Sequence, residues 1–189
     1  MSLVELIAQA DERGLAASGL ACLDRCVPLL GGDNEVLRPL WASLVVGGDW
    51  AERLEKVRAT LDAAAPEKPD EDEAALLAHR MIDAAPPERT APALRVWADA
   101  CSVASLQIHR LLEPGEDGTA SADDAVDSHR EGRTEGMSPL VAAELRRQIA
   151  VLELLAGHGR DGLSSALQVS NEGRRVLQAV VSRRARVRG

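Results

Sequence analysis

The spacing of large apolar residues is the feature of this 189-residue chain that most restricts its fold. Apolar side chains recur every three or four positions, most regularly through Leu94, Trp97, Cys101, Ala104, Ile108 and Leu111. An α-helix completes a turn in about 3.6 residues, so this spacing puts all of them on one helical face. The sequence therefore predicts an all-α fold in which helices pack against one another.

Composition also favours helices over strands. Ala, Leu, Glu and Arg are common, whereas the chain has no Phe, no Tyr and three Trp. The common residues are good helix formers, and the missing ones are typical of strands. We expect an aliphatic core and little material for a small-molecule pocket, since such pockets usually have aromatic walls.

Local capping signals indicate where helices begin and end. Ser2 and Glu5 have the spacing of a capping box, in which each side chain accepts a hydrogen bond from the other residue's backbone N–H. Thr90 and Ser138 each precede a first-turn proline and predict the starts of two long helices. We expect Gly14 to end the first helix, because Gly is typical of helix C-termini. Helices joined by short capped turns predict a multi-helix bundle of antiparallel helical hairpins.

Segment 113–137 divides this predicted bundle. It is rich in Gly and charged residues and poor in large apolar ones, so it buries too little surface to offset the entropy of ordering. We expect a flexible acidic Gly-rich loop there, with at most a transient turn of helix near Asp123 to Arg130, in which His129 is solvated. Residues 1–112 are predicted to form the main α-helical bundle, and residues 138–189 a smaller C-terminal helical unit with a basic tail.

Charge is unevenly distributed along the chain. The formal net charge is -8, which argues against the whole protein being a nonspecific binder of nucleic acid or anionic membranes. Residues 139–189, however, contain nine Arg and four acidic residues. The C-terminal third is therefore basic, whereas the remainder is strongly acidic.

Cysteine and histidine are the main candidates for metal or catalytic chemistry, since the acidic runs at Asp70 to Glu73 and Glu116 to Asp127 lack the ligand pattern of a helical calcium loop. Cys22 and Cys26 share a predicted helical face and could hold a soft metal, but the ordinary interpretation is that they and Cys101 are core thiols. His79 and His109 flank apolar faces of two predicted helices, where histidine is usually structural. We therefore assign no catalytic, cofactor-binding or metal-ligating residue.

The same sequence features indicate a cellular location. An odd number of cysteines in a chain of this length favours free thiols in a reducing compartment. The N-terminal residues lack a signal-peptide pattern, and no apolar stretch approaches 18 residues. We expect a cytoplasmic protein without a membrane partner. The abundance of Ala, Arg and Gly with few Lys is typical of a bacterial genome of high GC content.

The C-terminal region has the order of a helix-turn-helix, with a turn at Gln168 to Ser170. Ser170 would cap the last helix, although Gly173 would weaken it. The arginines that would contact phosphates, or an acidic partner, are Arg174, Arg175, Arg183, Arg184, Arg186 and Arg188. Two other interpretations are that they are solvated or dock on the acidic N-terminal part.

Three hypotheses on function follow. The first is a non-enzymatic interaction or regulatory protein that recognises a protein partner, or a second copy of itself, through helical surfaces. The alternative is a DNA-binding regulator that uses the C-terminal helix-turn-helix-like unit. The third, which has the least support in the sequence, is a metal-binding or enzymatic helical protein.

Overall fold

The computed structural model describes residues 1–64, 72–113 and 122–188. In these ranges it contains nine α-helices and no strand, which confirms the predicted all-α class. The helices are α1 (Leu3–Gln9), α2 (Glu12–Arg25), α3 (Arg38–Val46), α4 (Trp50–Ala64), α5 (Glu73–Asp83), α6 (Ala91–Leu111), α7 (Ala122–Arg130), α8 (Pro139–His158) and α9 (Leu163–Arg188). None of the described helices is long and apolar enough to span a membrane.

Most of the helix starts follow from the capping signals. The Ser2 hydroxyl accepts the Glu5 backbone N–H, and the Glu5 carboxylate accepts the Ser2 backbone N–H at 2.7 Å. Thr90 caps α6 and Ser138 caps α8 through the same kind of side-chain acceptor. The prediction for Gly14 is wrong: α1 ends at Gln9, and the Gly14 N–H donates to Asp11 Oδ1 at 2.8 Å in the first turn of α2.

Helix α2 lies at the centre of the bundle and packs against α6, α8 and α9. Leu15, Leu20 and Leu23 are fully buried on it, and so are most of its small residues. Gly19 allows α6 to approach closely, because a Cβ at this position would overlap the Trp97 ring. Residues 14–25 of α2 are all buried, as expected for a helix that is surrounded by other helices.

Helices from both sides of segment 113–137 contribute to one apolar core. Leu145 and Leu152 of α8 and Leu177 of α9 belong to the same buried cluster as Leu20. Whether the two parts fold as separate units stays a prediction. In the structure they pack together directly.

Part of segment 113–137 is helical rather than a loop. Helix α7 packs on α6, where its Val126 side chain is 2% exposed. Arg130 donates to Ser102 Oγ at 3.1 Å and forms an ion pair with Asp99. The prediction that His129 is solvated is wrong, because its ring is buried with Nδ1 2.9 Å from the Arg133 carbonyl oxygen. Residues 114–121 of the expected loop lie outside the described residues.

Candidate functional site: the α3–α9 groove and the buried polar cluster

Helix α9 is a single helix of 26 residues, and the turn predicted at Gln168 to Ser170 is wrong. The Ser170 hydroxyl donates to the Ala166 carbonyl at 3.0 Å inside the helix instead of capping a new one. Ala166 and Ser170 are fully buried on the face that packs inward. Burial of this face keeps the segment helical, and residues 163–172 contain neither Pro nor Gly to break the helix. The described C-terminal region therefore contains no helix-turn-helix.

Gly173 is the point at which α9 crosses the Arg25 side chain of α2. A Cβ at position 173 would lie 3.0 Å from Arg25 Cγ and would overlap Arg25 Cδ. Only a residue without a side chain allows the two helices this approach. Gly173, which was expected to weaken a recognition helix, is instead required for α9 to pack against Arg25.

Beneath this crossing lies a buried polar cluster, which we define as Arg25, Ser105, His109, Glu144 and Gln148. Arg25 Nε and Nη2 donate to the two carboxylate oxygens of Glu144 at 2.7 and 2.8 Å. Ser105 and Gln148 donate to Glu144 Oε1 at 2.8 and 2.9 Å. The cluster joins α2, α6 and α8, so helices far apart in sequence are held together by charged hydrogen bonds.

Burial and the neighbouring charges together set the ionisation of the cluster. Burial alone would raise the pKa of Glu144, but Arg25 and His109 outweigh it and bring the pKa to about 2. Burial lowers the pKa of His109 below its ordinary value, although Glu144, 3.5 Å from Nε2, and the Ser105 carbonyl raise it. Arg25 and Glu144 side chains are 0% exposed, so a substrate in solvent does not reach them. We interpret the cluster as a structural clamp.

The three cysteines are buried free thiols, as expected for core residues. Burial raises the pKa of the Cys22 thiol to about 12, and it raises those of Cys26 and Cys101 as well. A protonated thiol is a poor nucleophile and a poor metal ligand. The described residues contain no group of three or more His, Cys, Asp or Glu arranged to hold a metal ion.

Two of the six candidate arginines dock on acidic residues of the N-terminal part. Arg174 Nη1 lies 2.5 Å from Asp24 Oδ1, and both side chains are largely buried. Arg184 Nη1 lies 3.7 Å from Asp72 Oδ2. Burial raises the pKa of Asp24, and Arg174 opposes this shift only in part.

The remaining candidate arginines have different surroundings. Arg175, Arg183 and Arg186 are exposed on α9. The side chain of Arg188 lies outside the described residues. Of the five candidate arginines whose side chains the structure describes, two are thus paired and three are exposed to solvent.

A groove of about 600 Å³ opens between α3 and the first turns of α9, and we call it the α3–α9 groove. Its apolar floor and walls are formed by Trp41, Ala42, Val45, Leu163 and Leu167.

Arginines stand at the two ends of this groove. Arg38 lies at the start of α3, and Arg160 donates to the Val45 carbonyl at 3.5 Å near the end of α3. Seven residues of helix separate Arg38 from Val45, a distance of about 10 Å. The groove therefore offers a short apolar surface with a cation, Arg38, at one end and both Arg160 and the carboxylate of Asp161 at the other.

Sequence reasoning missed the groove, because it exists only where α9 lies beside α3. The one local signal is Val45 followed by Val46, which is 77% exposed. Val45 is 44% exposed as well, so both valines lie outside the core and the end of α3 carries apolar side chains on its surface. That pattern could have indicated an apolar surface next to Trp41.

The chain matches no protein-family model, no curated protein and no solved structure. Its function is therefore inferred from the groove and from the charges around it.

Proposed function

We propose that the protein is a non-enzymatic interaction or regulatory protein that binds a partner protein in the α3–α9 groove. The observation that carries this proposal is the open apolar floor between Arg38 and Arg160. Apolar surface gains free energy when a partner removes it from water, at about 25 cal/mol per Å².

The chemistry of the groove favours one kind of occupant, an amphipathic helix with an acidic residue at the end that faces Arg38. Binding of a helix in an apolar groove is a common mode of peptide recognition, in which apolar residues anchor the helix at intervals of three and four. Arg38 is highly exposed, and its one ion pair within the described residues is with Glu35, at 2.5 Å. Exposed ion pairs of this kind contribute little, at most about 1 kcal/mol, so a partner carboxylate can replace Glu35 at small cost.

Site-specific photocrosslinking in the native host tests the proposal. A photoreactive residue at Val45, in the groove, should yield a discrete adduct with a partner protein. The same residue at Val96, which is 73% exposed on α6, is the control and should not. Charge reversal of Arg38 and Arg160 should reduce the Val45 adduct, whereas reversal of Arg183 should leave it unchanged. No adduct at Val45, or the same adducts at both positions, would reject the proposal.

A DNA-binding regulator remains the second candidate, supported by exposed Arg175, Arg183 and Arg186 on one helix. Without a recognition helix, such binding would use phosphates alone and would be strongly salt-dependent. Three phosphate contacts would give a slope of about -2.7 in a plot of log affinity against log salt concentration. A gel-shift titration at low salt checks this: a flat result, or no change on replacing the three arginines by Gln, rejects it.

We also propose a reducing, cytoplasmic environment in a bacterial cell, supported by the three free thiols and the Ala- and Arg-rich composition.

A second copy of the chain is the other occupant to consider for the groove. Size-exclusion chromatography with light scattering distinguishes the two, because only self-association would make the mass depend on concentration.

A further inference from the structure

A second cleft, of about 230 Å³, opens between α8 and α9. It is lined by Ala143, Arg146, Arg147, Ala150 and Val169. The three apolar residues are small enough to leave the space open, and the two arginines make it cationic. We call it the α8–α9 cleft.

Arg147 is held at this cleft in an unfavourable environment. Its side chain lies across α9 at Gly173, where a Cβ would come within 2.9 Å of Arg147 Cδ. Its Nη1 atom is enclosed and has no hydrogen-bond partner in the described part of the chain. An enclosed donor without an acceptor is unfavourable, so an acceptor bound at this position would stabilise the Arg147 side chain.

The charged groups around Arg147 do not provide an acceptor for its Nη1 atom. Arg25 lies behind it but is neutralised by Glu144, and Arg146 adds a second positive charge. Glu172 on α9 is an exposed acidic neighbour, and it forms no ion pair with either arginine in the described residues. Burial lowers the pKa of Arg147, and Arg25 and Arg146 lower it further, against the opposing effect of Glu144 and Glu172. A bound anion would relieve both the desolvation and the repulsion between cations.

We propose that the α8–α9 cleft binds the phosphate group of a small molecule through the guanidinium groups of Arg146 and Arg147. Guanidinium groups match phosphate oxygens geometrically and form charge-assisted hydrogen bonds with them. Two arginines that line one cleft suit a dianion better than a single carboxylate. The volume of the cleft exceeds that of phosphate alone, so a small attached group also fits. This site is independent of the α3–α9 groove.

The test uses the full chain and ¹⁵N NMR of arginine Nε–H groups during titration at constant ionic strength. With inorganic phosphate, the signals of Arg146 and Arg147 should shift and saturate. Glycerol 3-phosphate should bind more tightly than inorganic phosphate, and acetate should bind more weakly. Signals that do not saturate, acetate binding as strong as phosphate, or glycerol 3-phosphate no tighter than phosphate would each overturn the proposal.

Variants separate this site from general attraction between charges. R147Q should weaken phosphate binding at least about tenfold, while R175Q on the exposed face of α9 should not. A150L fills the cleft without changing charge and should also weaken binding, whereas A179L, the same change at an exposed position, should not. Equal effects of R147Q and R175Q, or an A150L protein that binds like wild type, would contradict it. Circular dichroism establishes that each variant is folded before it is titrated.

Discussion

At the scale of single residues, the ion pair between Arg25 and Glu144 is a charged interaction inside the packed core. Both side chains are fully buried and joined by two hydrogen bonds. Removing two charges from water is costly, so such a pair contributes little net stability compared with well-packed apolar residues. It nevertheless makes each partner dependent on the other, because a lone buried charge is far more costly.

Replacement of Glu144 by Gln leaves the Arg25 charge buried without a counter-ion. We expect the free energy of unfolding to fall by about 3–5 kcal/mol. Replacement of both residues, Arg25→Met together with Glu144→Leu, removes the uncompensated charge and should recover most of this loss. Urea denaturation of the two variants measures both effects. A Glu144→Gln protein within about 1 kcal/mol of wild type would show that the pair is not enclosed.

Replacement of Gly173 by Ala tests the crossing of α9 over Arg25. The added methyl group would overlap the Arg25 side chain, and overpacking of this kind costs about 1–3 kcal/mol. Gly157→Ala is the matched control, because Gly157 lies in α8 with nothing near its missing Cβ. That change should stabilise the protein by roughly 0.5–1 kcal/mol through helix propensity. Thermal unfolding would contradict the account if the two variants changed in the same direction.

His109 makes stability depend on pH. Its pKa is lowered by burial in the folded protein, so the unfolded chain binds a proton more readily, near the ordinary value of 6.5. The free energy of unfolding should therefore decrease as pH falls through and below about 6.5. Glu144, whose pKa falls from 4.5 to about 2, adds a further loss below pH 4.5. Urea denaturation at several pH values should show a weaker dependence between pH 6.5 and 4.5 in His109→Gln, and an unchanged dependence would contradict this.

At the scale of elements, the starts of helices were predictable because caps are local. Ser2, Thr90 and Ser138 each act on a backbone N–H three residues away, and each one caps a helix as predicted. Ser170 has the same capping potential but lies in mid-helix, because its position is decided by burial against other helices. Tertiary packing overrides a local signal here.

Interior helices and sites between helices were harder to predict. α2 lies at the centre of the bundle, yet its Ala, Gly and Ser residues give a weaker apolar pattern than the stripe on α6. The Arg25–Glu144 pair joins residues 119 positions apart, which no local pattern indicates. The α3–α9 groove likewise depends on where α9 packs.

A proline at position 168 tests the continuity of α9. Proline inside a helix removes a hydrogen bond and clashes with the preceding turn, at a cost of about 3 kcal/mol, whereas a turn would accept it. We expect Gln168→Pro to lower the free energy of unfolding by about this amount. Ser164→Pro, in the first turn of α9, is the control and should cost much less. Similar stability of Gln168→Pro and wild type in urea denaturation would favour the turn.

At the scale of the whole molecule, one core joins α2, α8 and α9, and the α3–α9 groove depends on it. The groove has a wall because the first turns of α9, with Leu163 and Leu167, lie beside α3, and α9 crosses Arg25 further along at Gly173. The acidic N-terminal part and the basic C-terminal part of the chain also contact each other directly, through the Arg174–Asp24 ion pair. The uneven charge of the sequence is thus partly neutralised inside the molecule, and what remains exposed is available to partners.

Native-state hydrogen exchange across α9 tests this arrangement most directly. Amide groups that open only when the whole protein unfolds exchange with the free energy of global unfolding. The structure predicts that the amides of residues 168–173 are protected to the same extent as those of α2. Rapid exchange at residues 168–170, with slow exchange on either side, would show a turn in place of the helix and would contradict the continuous packing of α9 over Arg25.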